Sequence, residues 1–347
     1  MSNLGQRLYS GEASIDFVGH RRRWYIISAV ILIVAVGALL FRGLNLGIEF
    51  RGGADFSLPH AACSVEEART VAEAGSGAQA IVTKTASGTI RVQTETLTPE
   101  ESVVLGAELA KACKINASDV KTQVVGPTWG AEISKKALQG LIVFILLVMV
   151  FLSIYFEWRM AIAALLALLH DLVITVGIYA LTGLEVTPAT VIGFLTILGY
   201  SLYDTVVVFD KVKENTRGIT GQAMQTYSDA ANLAVNQTLM RSINTSIVAL
   251  LPVMAIIIVG AGFLGAGTLL DLAVALAIGM AVGAYSSIFI ATPFLVSLKE
   301  AQPEMKALRT RVLARRNQSA KTIGTQTADD SDSSASGQSR RKPRSRR

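Results

Sequence analysis

Apolar residues gather into six long runs along the chain, separated by more polar segments. Each run has about 18 or more residues, the length that an α-helix needs to cross the hydrocarbon core of a bilayer. The runs show no period-two alternation, which excludes barrel strands, so a lipid-embedded backbone must satisfy its hydrogen bonds as a helix. The pattern predicts membrane-spanning helices at 24–41, 138–156, 160–181, 187–209, 242–259 and 269–296.

The segment 42–137, between the first two spans, has the mixed pattern of a soluble α+β domain. Two capping boxes mark helix starts, Ser64 with Glu67 and Thr98 with Glu101, and the two helices are expected to end near positions 73 and 111. Stretches rich in β-forming residues predict strands at 54–58, 79–84, 89–94 and 119–125. The resulting order, βαββαβ, predicts a ferredoxin-like domain.

Basic residues beside the spans predict how the chain is oriented. Arg21, Arg22 and Arg23 precede the first span and, by the positive-inside rule, place residues 1–23 in the cytoplasm. No cleavage signature follows the first run, so we interpret it as a retained helix rather than a signal peptide. Six spans return the C-terminus to the cytoplasm, where a basic loop at 210–241 also lies. The sequence thus predicts a multi-pass cell-membrane protein with an extracytoplasmic domain.

The C-terminal segment 303–347 is rich in Ser, Gln, Lys and Arg and ends SRRKPRSRR. Its low apolar content predicts a disordered tail that does not fold alone. Such a tail could be attracted to anionic lipid headgroups or to ribosomal RNA. A solvated tail that helps to set the topology is the favoured interpretation.

Composition excludes several functional classes. The 347 residues are 51% hydrophobic and 17% charged, which is too apolar for an ordinary soluble domain. The net charge of +6 does not predict specific nucleic-acid binding, because the basic residues cluster beside the apolar runs and in the tail. The sequence has no phosphate-binding loop and no cluster with metal-ligand spacing. We therefore predict no enzyme, no cofactor and no metal.

Cys63 and Cys113 are the two cysteines of the chain. One precedes the first predicted helix of the domain and the other follows the second. In a βαββαβ topology these helices run antiparallel, so both cysteines are expected at the same membrane-distal edge. A disulfide is plausible outside the cytoplasm. Two isolated thiols remain the alternative, because the Cα separation decides the matter.

Charged residues inside the spans are the strongest candidates for chemistry, because burying one in a bilayer costs roughly 2.5–3.5 kcal/mol on insertion scales. Asp204 lies in the fourth span, on a polar stripe with Thr196 and Tyr200. Arg241 begins the fifth span at similar depth. An Asp–Arg pair there would be a candidate proton switch. A static salt bridge, or an arginine that snorkels to the interface, are the alternatives.

Other polar residues could support such a site. Asn244 and Thr245 extend the polar face of the fifth span beyond Arg241. His170 and Asp171, in the third span, could relay protons, although adjacent residues point in different directions on a helix. We rank them below Asp204. A GxxxG pattern at Gly279 in the sixth span, followed by two serines, favours close helix packing rather than chemistry.

Six motifs in order resemble the SecF branch of the SecD/SecF family, within the resistance–nodulation–division (RND) superfamily. The motifs are GLNLGIEFRGG (43–53), VGPTWGAEI (125–133), HD (170–171), GYSLYDTVVVFDKVKEN (199–215), QTLMRSINTS (237–246) and YSSIFIATP (285–293). The resemblance covers about residues 15–300 and implies a half-sized RND membrane bundle of six helices with one inserted domain. The family's intramembrane Asp and Arg fall on Asp204 and Arg241. Tyr203 stands where the family usually has Asn, and its phenol can still donate a hydrogen bond.

The resemblance also implies partners and a role. It implies a heterocomplex with a SecD-like subunit, beside the SecYEG channel and the SecA motor. The role would be to use the proton motive force to assist late, extracytoplasmic steps of export of an unfolded polypeptide. An alternative is a stand-alone, proton-coupled RND exporter of lipids or small molecules, and a third is a proton-independent scaffold.

Overall fold

The computed structural model describes residues 4–10, 12–85, 88–260 and 267–336. Within these residues, six helical segments are long and apolar enough to cross a membrane, and each predicted span lies within or largely within one of them. A short helix, α1 (Leu4–Ser10), precedes the first of these, α2 (Arg21–Arg42). The α+β domain follows α2 in the chain, and the other five long apolar helices come after the domain. We refer to the end of the bundle that carries this domain as the domain end.

The α+β domain contains, in chain order, a short parallel-paired strand, a short helix, and then a strand, helix, strand, strand, helix and strand. These elements are β1 (Asn45–Leu46), α3 (Ile48–Arg51), β2 (Gly53–Leu58), α4 (Val65–Ser76), β3 (Ile81–Lys84), β4 (Ile90–Thr94), α5 (Pro99–Ala112), a 3₁₀ turn (Ala117–Asp119) and β5 (Lys121–Val125). Both predicted capping boxes form, at the N-termini of α4 and α5. Sequence analysis missed β1 and α3, which are shorter than the patterns it relies on.

The main sheet has the order β3–β4–β2–β5, and every neighbouring pair is antiparallel. The central strand β2 pairs Phe56 with Val92 of β4 on one side and with Thr122 of β5 on the other. Phe56 and Val92 are fully buried, and they belong to one core with Leu105 and Leu109 of α5. Alternating apolar positions on the strands therefore pack one sheet face against the helices.

A disulfide joins Cys63 to Cys113, with a Cα–Cα distance of 4.5 Å. It links the residue before the N-cap of α4 to the residue that ends α5, and both cysteines are buried in the domain core. The bond closes a loop with a sequence separation of 50 residues, which restricts the unfolded chain.

The bundle consists of long helices connected by short segments. After the domain come α6 (Pro127–Tyr155), α7 (Trp158–Thr182), β6 (Glu185–Val186), α8 (Pro188–Asn215), a 3₁₀ turn (Ile219–Gly221), α9 (Tyr227–Val259), α10 (Gly267–Ser286), a π-helical segment (Ser287–Ala291), α11 (Thr292–Glu300) and α12 (Pro303–Ser336). The sixth span runs through α10, the π segment and α11. Strand β6 pairs in parallel with β1, which ties the α7–α8 connection to the root of the domain.

Two predicted boundaries differ clearly from the structure. The predicted loop 210–241 is largely helical, because α8 continues to Asn215 and α9 begins at Tyr227, behind a capping box formed by Thr226 and Asp229. Hydropathy marks only the apolar part of a helix, and these helices continue beyond it. For the same reason α6 begins at Pro127, well before the predicted span.

The prediction of a disordered tail from 303 onward is wrong for the described residues. Helix α12 begins at Pro303, and its residues Met305, Leu308 and Val312 are buried in the same core as Leu295 of α11. Their spacing of three and four residues places them on one helix face. Low apolar content indicates that a segment cannot fold alone, but it does not exclude packing on another surface. Here the bundle supplies that surface. Residues 337–347 lie outside the described residues.

We expect the Cys63→Ser, Cys113→Ser double variant to unfold more easily within the α+β domain. Loss of the loop constraint should remove ~4 kcal/mol of domain stability in the chain-entropy description. The measurement is limited proteolysis of the full chain in detergent, before and after reduction. Reduction should sensitise the parent protein and leave the double variant unchanged; equal sensitivity of both proteins without reductant would contradict the stabilising role.

Candidate functional site

Asp204 lies inside the bundle on α8, and its side chain is buried. Its Oδ1 accepts a hydrogen bond of 2.6 Å from the hydroxyl of Ser242 on α9. Its Oδ2 accepts a hydrogen bond from the hydroxyl of Ser287, the first residue of the π segment in the sixth span. The carboxyl group therefore connects three helices through two neutral donors.

A second buried acid lies on the neighbouring helix α7. Asp171 accepts a hydrogen bond from Ser201 of α8, and its Oδ1 lies 3.1 Å from Nδ1 of His170. The other ring nitrogen of His170 lies 2.6 Å from the hydroxyl of Ser28 on α2. Asp171 is only 1% exposed, which makes it more deeply buried than Asp204 at 6%. His170 and Asp171 thus belong to one hydrogen-bonded chain, although their adjacent positions on the helix predict that they cannot both face one site equally.

The two acids belong to one polar belt across the bundle. Ser201 and Asp204 are one turn apart on α8, so the hydrogen bonds of Asp171 and Asp204 meet on one helix face. Five spanning segments contribute to this belt, and among the described contacts α6 contributes none. The polar belt comprises Ser28, His170, Asp171, Ser201, Asp204, Ser242 and Ser287.

Small residues allow the helices to approach closely at the belt. A Cβ at Gly283 of α10 would lie 2.9 Å from Cβ of Ser201, and one at Gly279 would lie 1.9 Å from Cδ1 of Ile197. The GxxxG pattern therefore packs α10 directly on α8, as predicted. The π segment begins at Ser287, where the wider turn adjusts the direction of the Asp204 partner. Such π-bulges are frequent at functional sites.

The predicted ion pair between Asp204 and Arg241 is absent from the described contacts. Arg241 is exposed, and its Nη2 donates to the hydroxyl of Tyr203 at 3.3 Å. Adjacent residues on a helix point about 100° apart, because there are 3.6 residues per turn. Ser242 therefore faces the bundle interior at this position, and Arg241 faces outward.

The supporting residues predicted on α8 and α9 form no described hydrogen bond with Asp204. Tyr200 contacts Ser246 at 3.4 Å, Thr245 donates to the backbone carbonyl of Arg241 at 2.8 Å, and Asn244 is exposed. Thr196 is exposed as well. The helical stripe predicted through Thr196 therefore follows the outer side of α8 and reaches the interior only at Asp204.

Sequence analysis missed the four serines of the polar belt as hydrogen-bond partners. Ser287 was noticed only as a small residue that favours packing, and Ser242 as the first residue of a span. Ser201 and Asp204 are three residues apart, and this spacing predicts that they lie on the same face of the helix. The pairing of serines with acids on other helices could not be read from one chain, because it depends on helix rotation.

The described residues contain no group of three or more His, Cys, Asp or Glu side chains that could hold a metal ion. The belt consists of carboxyl, imidazole and hydroxyl groups, which can hold and pass protons through hydrogen bonds. The site is therefore suited to proton binding.

Known proteins resemble this chain over most of its length. The profile described as "Protein export membrane protein SecD/SecF, C-terminal" matches residues 105–301, and that of the SecD/SecF GG motif matches residues 37–54. The chain belongs to the SecD/SecF family. It is 54% identical over 321 residues to the protein translocase subunit SecF of Streptomyces coelicolor, covering 92% of this chain and 86% of that protein. Identity to the corresponding subunit of Mycobacterium tuberculosis is 44% over 322 residues, covering 90% and 73%.

A solved structure of a SecD/SecF family member shares the fold. The crystal structure of SecDF, a translocon-associated membrane protein from Thermus thermophilus, matches with a TM-score of 0.75 at 29% identity. The match covers 86% of this chain and 40% of the SecDF chain. Together with the six long apolar helices, it identifies a multi-pass membrane protein with an RND-like helical fold.

We expect Asp171→Ala to destabilise the bundle of this SecD/SecF family member more than Asp171→Asn. The alanine variant leaves the buried groups of Ser201 and His170 without their partner, at about 1–3 kcal/mol for each group. Asparagine keeps an acceptor and the side-chain volume. Thermal unfolding in detergent gives the order, with the exposed Asp210→Asn on α8 as a control that should match the parent. Equal melting of both Asp171 variants would contradict a hydrogen-bonding role.

Proposed function

We propose that this chain is the SecF-type subunit of a protein translocase accessory complex, and that Asp204 couples the proton motive force to late, extracytoplasmic steps of polypeptide export. The observation that carries the proposal is the buried Asp204 carboxyl group, which is held by hydroxyl donors from two other helices. A scaffold without a proton role has no need for an acid at this costly position. The relatives named protein translocase subunit SecF support the export role.

Hydrogen-bond chemistry explains how a proton would act at Asp204. An ionised carboxylate only accepts hydrogen bonds, as it does here from Ser242 and Ser287. A protonated carboxyl group has one O–H donor, so one serine must direct its hydroxyl elsewhere. Ser287 has a second acceptor nearby, the backbone carbonyl of Ala284 at 3.2 Å. Protonation of Asp204 therefore reverses the hydrogen bond to Ser287, whose hydroxyl accepts from the acid and donates to Ala284, and this changes how the π segment is held against α8.

Arg241 supplies the alternative partner in the proposed cycle. It immediately precedes Ser242, so a rotation of α9 by about 100° would replace the serine hydroxyl with the guanidinium beside Asp204. An arginine there would favour the ionised acid. In the structure described here, Arg241 instead donates a hydrogen bond to Tyr203 on the neighbouring helix. The two partners of Asp204 thus define two arrangements of α9 against α8, one of which is the structure described here.

The proposed complex requires a SecD-like partner. The SecDF protein of Thermus thermophilus contains a region similar to this chain within a much longer polypeptide, of which the match spans 40%. The exposed side of α8 and α9 with Tyr203 and Arg241 is available for such a second bundle half. We propose that the complex works beside the SecYEG channel and the SecA motor on an unfolded polypeptide in transit. The extracytoplasmic segment 42–137, which is small for a substrate-collecting vestibule, disfavours the alternative of a stand-alone exporter of lipids or small molecules.

The same proposal covers the orientation of the chain in the membrane, the α+β domain and the C-terminal tail. Both termini lie in the cytoplasm, and the domain end of the bundle faces outward. The domain is ferredoxin-like, with the strand order given above. The basic tail helps to set the topology and can also attract anionic lipid headgroups, rather than a specific nucleic acid. The chain has no enzymatic activity of its own. One proton crossing the membrane supplies about 2.3 kcal/mol per 100 mV, which is enough to bias a rearrangement of helices by more than tenfold.

We expect Asp204→Asn to abolish the proton-dependent part of export. Asparagine keeps the volume and an acceptor but cannot titrate. The assay is preprotein translocation into inverted membrane vesicles that contain the variant and its SecD-like partner, with and without a protonophore. The parent should lose activity with the protonophore, and the variant should start at that reduced level. Asp210→Asn, an exposed acid on the same helix, should behave as the parent; full protonophore-sensitive export by Asp204→Asn would reject the proton role.

We expect Arg241→Met to give the same loss, because the ionised state of Asp204 then has no cation to meet. Arg241→Lys should retain part of the proton-dependent export, since it keeps the charge but not the planar fork. Both variants should insert and copurify with the partner as the parent does. Normal proton-dependent export by Arg241→Met would show that snorkelling, rather than switching, accounts for this arginine.

A further inference from the structure

A cluster of charged side chains fastens the α+β domain to the domain end of the bundle. Arg91 of β4 donates from Nε to Oδ2 of Asp55 on β2 at 2.5 Å, within the domain sheet. Its Nη1 donates to Oε2 of Glu185 at 2.6 Å, and Glu185 belongs to β6 in the α7–α8 connection. Gln93 donates to the same two acids, at 3.2 Å and 2.8 Å. These contacts define the joint.

Two further acids, Glu49 and Asp271, lie in the joint and form no ion pair within the described part of the chain. A Cβ built at Gly47 would lie 2.6 Å from Oε2 of Glu49 and 2.9 Å from Oε1 of Glu185, so these two carboxyl groups converge on one point. Oε2 of Glu49 is buried and has no hydrogen-bond partner among the described residues. Asp271 of α10 accepts from Thr187 at 3.2 Å and interacts electrostatically with Glu49 and Glu185.

The charges of the joint do not balance. Four carboxyl groups face one guanidinium, that of Arg91. Arg51 is close in sequence, but its Nη2 donates to the backbone carbonyl of Leu44 at 3.3 Å. Tyr179 of α7 also interacts electrostatically with Asp271. Fully ionised acids would therefore repel one another across the boundary between domain and bundle.

We infer that the joint is a second proton-binding site of this chain, at which proton uptake by Glu49, Asp55 and Asp271 holds the α+β domain closed on the bundle while Arg91 stays paired with Glu185. Separation of the two bodies would expose these acids to water and relieve their mutual repulsion. The closed joint therefore binds protons more tightly than the open one. The ligand is H⁺, and the site is independent of Asp204 in the membrane.

The direction of the pH effect follows from the acids outside the spans. Burial raises the pKa of Asp55, and this outweighs the opposing effects of Arg91 and Gln93. Burial also raises the pKa of Glu49, with a further contribution from Glu185. A group whose pKa is higher in the closed joint stabilises that joint as the pH falls and loses this contribution as the pH rises through the raised pKa. Acid should close the joint and alkali should loosen it.

The experiment measures the distance between the two bodies in the full chain. Spin labels are placed on Val103→Cys of the domain and Leu138→Cys of α6, both of which are exposed positions away from the joint. The native cysteines are bonded to each other and do not react. Double electron–electron resonance in lipid nanodiscs then gives the closed and open populations at about pH 5 and about pH 8. Each acid whose pKa differs by one unit between the two states changes their ratio by up to about tenfold.

The parent should shift toward the open population at the higher pH. Combining Glu49→Gln with Asp271→Asn removes two of the titrating groups and keeps hydrogen-bonding side chains, so the shift should largely disappear. Glu100→Gln with Glu108→Gln, two exposed acids of α5, should respond as the parent. Asp204→Asn should also respond as the parent, which separates this inference from the proposed function. Unchanged populations, opening at low pH, or a full shift in the Glu49→Gln, Asp271→Asn protein would overturn the inference.

Discussion

The bundle depends on the burial of two carboxyl groups that hydrogen bonds, rather than opposite charges, hold in place. Asp204 and Asp171 bring hydroxyl and imidazole groups from α2, α7, α9 and the sixth span to α8. In a bilayer, where lipid tails are as apolar as leucine, polar contacts and close packing are what distinguish one helix arrangement from another. Neutral donors make this arrangement reversible, because a hydroxyl can turn to a backbone carbonyl at little cost, whereas a buried guanidinium cannot.

The close packing and the polar belt depend on each other. Glycines of α10 let α8 approach until Ser201 and Asp204 come within reach of their partners. A larger side chain at Gly283 would separate the helices and would also break the hydrogen bonds of the belt. The π segment at Ser287 then adds local freedom at one contact of a helix that is otherwise tightly packed. Tight packing of α8 on α10, together with one adjustable contact at Ser287, suits a rearrangement that a proton drives.

Much of the architecture could be predicted from the sequence, because each element depends on a local pattern. The apolar runs predict the positions of the spans, and the capping boxes at Ser64 and Thr98 predict where two helices begin. Asp204 was found for a similarly local reason, the cost of an acid inside an apolar run. Its partner was not found, since the choice between Arg241 and Ser242 depends on the rotation of α9. The packing of α12 was missed because it requires a surface that the rest of the chain supplies.

The short parallel pair between β1 and β6 has a mechanical consequence. It attaches the root of the domain to the residues directly before α8, and Asp204 lies on that same helix. A continuous helix from Pro188 to Asp204 extends about 24 Å and behaves as a stiff rod. A tilt of α8 at the acid would therefore displace the strand pair at the far end of the helix and, with it, the root of the domain.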